Sequence, residues 1–153
     1  MRRRNTMEDF QRDITHRIWV EEDGGIRLTG IIRDRYHDIR LEVLVDGEAL
    51  VIRECKVVFE KAPSPYCGRV APRLELLVGT RVGPGLSRKL TEALGGRSGC
   101  GNLRTLLSGL LPLALNVRAC AGIEDEQEML GAIHHHLQGT CAGYPRSEEG
   151  EAQ

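Results

Sequence analysis

From Ile14 the chain alternates, with Ile14, His16, Ile18 and Val20 on one side and Thr15, Arg17, Trp19 and Glu21 on the other. That is the period of a half-buried strand. "EDGG" at 22 to 25 has turn chemistry, because Asp-Gly and Gly-Gly supply the positive φ angles of a tight hairpin. A second strand is predicted from Ile26 to about Arg33. "RDRYHD" interrupts the apolar pattern, and then Ile39, Leu41, Val43 and Val45 alternate with Arg40, Glu42 and Leu44 in a third strand. A second Asp-Gly, at 46 and 47, turns the chain into Ala49 to Phe59, where Leu50, Val51, Ile52, Val57 and Val58 favour extended structure.

"KAPSPYCG" at 61 to 68 ends the strands, since two prolines bar both ladder pairing and helix interior. The spacing beyond it is helical. Val70, Leu74, Leu77 and Val78 fit one face, and Leu86, Leu90, Ala93 and Leu94 another, with Gly95-Gly96 as a C-terminal stop. Leu103, Leu106, Leu107, Leu110, Leu111, Ala114 and Val117 cover more than one stripe, as in a helix buried on several sides, which Pro112 should bend or divide. A fourth helix is predicted from Glu124 to about Gln138, with Met129, Leu130, Ile133 and Leu137 at amphipathic intervals. Strands first and helices afterwards imply an α+β fold: an antiparallel meander sheet of about four strands, followed by three to four helices packed on one face. The organisation expected is a flexible N-terminus at 1–12, a single domain at 13–140, and a polar, partly disordered tail at 141–153.

The 153 residues suit one core, and a formal net charge of -1 offers no global field for polyanions, so nucleic-acid binding is not expected. The Met-Arg-Arg-Arg start leads into no apolar run, and Leu103 to Val117 is interrupted by Arg104, Ser108, Pro112 and Asn116. No targeting peptide or membrane insertion is therefore expected, and a cytoplasmic location follows by default. No glycine pattern matches a phosphate loop, a dinucleotide fingerprint or a nucleophile elbow, so no nucleotide cofactor is expected.

Five cysteines, Cys55, Cys67, Cys100, Cys120 and Cys141, form an odd set that favours reduced thiols. Cys100 sits in "GGRSGCGNL", after a glycine-rich loop and before a helix that Asn102 could cap, so its sulfur should lie near unpaired N–H groups and the positive end of the helix dipole. That setting favours a thiolate. Alternatively, the glycines only make a turn and Cys100 is a small apolar plug. Cys67 has the same grammar of loop, thiol, glycine and helix start. His37 and Asp38 stand at the start of the third strand. With Cys67 and Cys100 they would supply imidazole, carboxylate and two thiolates, a set suited to zinc or an iron-sulfur centre; the plain alternative is an exposed turn histidine. His134, His135 and His136 point in different directions on a helix and read as a solvated face. Cys55 and Cys120 read as packing residues, and Cys141 as a loop thiol without an assigned role.

The order of "THRIWVEEDGGIRLTGIIRD", "HDIRLEVLVD", "APSPYCGRVAPRLELLVGTRVGPG" and "LGGRSGCGNL" resembles the bacterial family called domain of unknown function 2889, over about Thr15 to Val117. Members usually show Gly-Cys-Thr-His-Leu where this chain has Gly99, Cys100, Gly101, Asn102 and Leu103. The family supplies no activity. A more distant likeness of layout is to iron-sulfur cluster scaffold proteins and their sulfur-acceptor relatives, which implies ligands at His37-Asp38, Cys67 and Cys100. The expectation is an accessory or carrier protein binding zinc or an iron-sulfur cluster through Cys67, Cys100, His37 and Asp38, with a protein partner. The alternatives are a thiol enzyme or sulfur acceptor with Cys100 as nucleophile and His37 as its base, and an interaction module whose cysteines only pack.

Overall fold

In the computed structural model the alternating segments form one four-stranded antiparallel sheet in the order β1-β2-β3-β4: β1 Asp13–Val20, β2 Ile26–Arg33, β3 Asp38–Val45 and β4 Ile52–Lys61. Residues 9–146 are described; the expectations for 1–8 and 147–153 lie outside them. A 3-10 segment follows at Cys67–Leu77, then helices α1 Leu86–Leu94, α2 Gly101–Leu110, α3 Leu113–Ala119 and α4 Glu126–Leu137. The fold is α+β. The described residues divide into two compact units between Ala114 and Leu115.

In the first unit, Ile26, Leu28 and Ile32 of β2 and Ile39, Leu41, Val43 and Val45 of β3 are buried on one sheet face. Leu103, Leu106, Leu107 and Leu110 of α2 complete that core. Each such side chain contributes about 1.5–3 kcal/mol on leaving water. Gly30 marks the closest approach: a Cβ there would lie 2.9 Å from Leu106 Cγ, so the small residue lets α2 settle on the sheet. The β1 alternation is real but its burial is not, since only Ile18 is even half-buried. Register places Ile14, Ile18 and Val20 beside Ile32, Leu28 and Ile26. As an edge strand, β1 is left largely uncovered on both faces.

Two local departures from the sequence pattern have physical causes. Strand β4 begins at Ile52 instead of Ala49, because Asp46 Oδ1 accepts the N–H groups of Glu48 (2.9 Å) and Ala49 (2.7 Å), and buried Leu50 turns through φ 55°. The first helical segment is 3-10, with Pro72 inside it, whose missing N–H and ring oppose an α-helical turn. Its Val70, Leu74 and Leu77 are buried as expected, whereas Val78 has left the helix and is exposed. As expected, Pro112 divides the long apolar segment into α2 and α3.

In the second unit, Asp125 caps α4 by accepting the Glu128 N–H at 2.9 Å. No residue of α4 is buried, and Leu130 is exposed. The described helices include none long and apolar enough to cross a membrane.

Candidate functional site

The loop that carries Cys100 is held by backbone geometry. Helix α1 ends at Gly95, whose N–H donates to Thr91 O at 2.8 Å, and the chain folds back so that Cys100 N–H donates to Leu94 O at 2.9 Å. A Cβ at Gly99 would lie 1.8 Å from that same Leu94 oxygen, so only glycine fits there. Cys100 is the N-cap residue of α2, in extended conformation, and its side chain makes no capping hydrogen bond. Asn102, expected to cap, lies inside the first turn instead. Cys100 is partly exposed, and its sulfur is not committed to the helix N–H groups.

Cys67 opens the 3-10 segment and is also partly exposed. Cys67 and Cys100 line one open cleft of about 650 Å³, together with Val70, Arg69, Arg73 and Arg97. Three guanidinium groups border this cleft and no carboxylate does. Arg73 donates from Nε to Ala93 O at 2.5 Å and from Nη2 to Glu92 O at 3.2 Å, which ties the 3-10 segment to the carbonyl end of α1. That tie sets the Cys67 segment against the helix from which the Cys100 loop departs. Arg69 lies over the Tyr66 ring, 4.3 Å from its centroid. Arg97 is exposed on the Cys100 loop.

His37 does not line the cleft but belongs to a closed network beside it. Its Nδ1 is 2.9 Å from Asp34 Oδ1, and its Nε2 is 3.2 Å from Asn102 Nδ2. Arg12 closes the ring, with Nε 2.7 Å from Asp34 Oδ2 and Nη1 2.8 Å from Asn102 Oδ1. Arginine only donates, so Asn102 must present its oxygen to Arg12 and its N–H to His37. His37 Nδ1 then carries the proton given to Asp34, and Nε2 accepts. The lone pair that a base would use is engaged by Asn102. Burial, the strongest single influence on Asp34, pushes its carboxyl up; hydrogen bonds from the His37 ring, the Tyr36 N–H, Arg12 and the His37 N–H together hold it well below the usual range. The Asp34 side chain is fully covered.

Asp38 is placed elsewhere. It starts β3 on the charged face of the sheet, 3.5 Å from Arg33 Nε and in a cleft with Arg40, Glu42 and Lys56. Among the described residues no group of three or more His, Cys, Asp or Glu could hold a metal ion. Cys55 is buried, and burial, followed by the charge of Glu75, pushes its thiol up to about 12. Cys120 is partly exposed, whereas Cys141, His134, His135 and His136 are exposed.

Sequence reasoning thus missed Asp34, Arg12 and the arginines of the cleft. The signal for Asp34 was present: an Asp followed two and three residues later by N–H groups it can accept is an Asx turn, and both bonds, to Tyr36 and His37, are 2.8 Å. The arginines gave no comparable signal, because Arg69 and Arg73 belong to one segment and Arg97 to another.

A family model described as "Protein of unknown function (DUF2889)" matches residues 10–116. No curated protein and no solved structure matches the chain. The likeness of layout to iron-sulfur scaffold proteins finds no support in these comparisons.

Proposed function

The chain belongs to this family of unknown function, and we propose that it is a thiol-dependent protein, an acceptor or enzyme, that takes a small group onto Cys100 with Cys67 as the second thiol of the site. One observation carries this reading: two partly exposed cysteines from separate segments line the same cleft. A thiol works as a nucleophile when its sulfur is accessible and uncommitted. Cys100 meets both conditions, since it is partly exposed and makes no capping bond, whereas buried Cys55 does not.

The carrier role for zinc or an iron-sulfur cluster is supported less well. A tetrahedral site needs three or four donors. Asp38 faces another cleft, His37 is spent on Asp34 and Asn102, and the charged side chains bordering the cysteines are guanidiniums, which oppose a cation.

The test is site-resolved thiol exchange. Native protein is treated with limiting 2-hydroxyethyl disulfide, and the adducts are located by peptide mass. The reading expects adducts on Cys100 and Cys67 ahead of Cys141, although Cys141 is the more exposed. Adducts led by Cys141 would show that exposure alone governs reactivity, and would overturn it.

A further inference from the structure

We propose that the Cys67–Cys100 cleft selects small anionic sulfur compounds, with Arg69 and Arg97 holding the negative group while the thiols react; this rests on the thiol reading above. The cleft brings together three guanidiniums without a single carboxylate among its lining side chains. That is a marked local excess in a chain whose formal net charge is only -1. The three cations do not have the same task. Arg73 is occupied by the carbonyls of Ala93 and Glu92, so its charge is fixed beside the site as part of the scaffold. Arg69 and Arg97 are exposed and have no carboxylate partner among the described ion pairs, which leaves their N–H forks available to a ligand carboxylate or similar oxyanion. Both lie close in sequence to a thiol: Arg69 follows Cys67 by one intervening residue, and Arg97 precedes Cys100 on the same loop. An anionic group bound by either would hold the rest of the molecule over a sulfur.

The covalent step is thiol–disulfide exchange. The deprotonated sulfur of Cys100, its proton lost to solvent, attacks one sulfur of the ligand disulfide. A bond forms between protein and ligand sulfur, the ligand S–S bond breaks, and the other half leaves with the electron pair and takes up a proton. One thiol and one disulfide give one mixed disulfide and one thiol, so the ligand disulfide is itself the oxidant.

Three probes of one skeleton test the charge selection: 3,3'-dithiodipropionate (anionic), 2-hydroxyethyl disulfide (neutral) and cystamine (cationic). Each rate at Cys67 and Cys100 is divided by the rate at the same cysteine in the urea-unfolded chain, which removes differences between leaving groups. The expected order is anionic, then neutral, then cationic, with about tenfold between first and last at low salt. At ~1 M salt, where the screening length is about 3 Å, the spread should collapse. Arg69→Glu and Arg97→Glu should reverse the order in protein whose circular dichroism is unchanged, and Arg69→Lys and Arg97→Lys should keep it. Reactive thiols with a flat charge order would overturn this inference alone. Thiols that respond to no probe faster than Cys141 would overturn the thiol reading beneath it.

Discussion

Asn102 donates its side-chain N–H to His37 Nε2 across 3.2 Å, and so joins the first turn of α2 to the turn between β2 and β3. The covered carboxylate of Asp34 anchors the other side of the imidazole. Asp34→Asn would remove a charge-assisted partner of both Arg12 and His37, and the expected loss of stability is about 1–3 kcal/mol, read from urea unfolding at neutral pH. Asn102→Ala would remove both the bond to His37 and an acceptor of the Arg12 guanidinium, at an expected cost of about 1–2 kcal/mol. A midpoint unchanged in both variants would show that the network is ornamental.

The same carboxyl sets a pH dependence. Its folded value lies below the ordinary one, so its contribution is complete above the unfolded value of about 3.9 and is lost as the pH falls from there toward the folded value. Stability should therefore drop below about pH 4 more steeply in the native protein than in Asp34→Asn. Equal slopes would contradict the assignment.

Glycine substitutions separate packing from flexibility. Gly99→Ala would place a methyl 1.8 Å from the Leu94 oxygen, so the loop must shift and the Cys100–Leu94 hydrogen bond must break. The expected cost is about 1–3 kcal/mol, together with a changed reactivity of Cys100. Gly30→Ala, against Leu106, should cost a similar amount without that change. Gly101→Ala meets open space at the start of α2 and should stabilise the protein by about 0.5 kcal/mol. Unfolding curves with alkylation rates for the three variants check the contrast.

Cys55 provides the internal reference for reactivity. With its thiol pushed up to about 12 by burial, it should resist iodoacetamide at pH 8 in the folded protein and react only once urea unfolds the core. Labelling in the native state would show that the sheet face opens at this strand.

The sheet was legible in the sequence because strand alternation and the Asp-Gly turns are local signals, and Ile39 to Val45 reads as one buried row in both. Burial of β1 was not legible: Ile14 and Val20 have the right period, but whether helices reach an edge strand depends on packing. The cysteine pair was legible in part. Proline and glycine marked Cys67 and Cys100 as loop thiols at helix starts, and the fold places both on one cleft. His37 was read as a ligand or base at the start of the third strand; in the fold its ring is hydrogen-bonded to Asp34 and Asn102. Asn102 misled because a polar residue at a helix start usually caps it; here its amide is consumed by Arg12 and His37.

If Cys67 and Cys100 work in one site, a short bifunctional reagent should bridge them. Dibromobimane fluoresces once both arms have reacted with thiols, and peptide mass then identifies the pair that it joins. One intramolecular bridge between Cys67 and Cys100 is expected, lost in Cys67→Ser and in Cys100→Ser. Bridges joining Cys100 to Cys120 or Cys141 instead, or formed only between molecules, would contradict it.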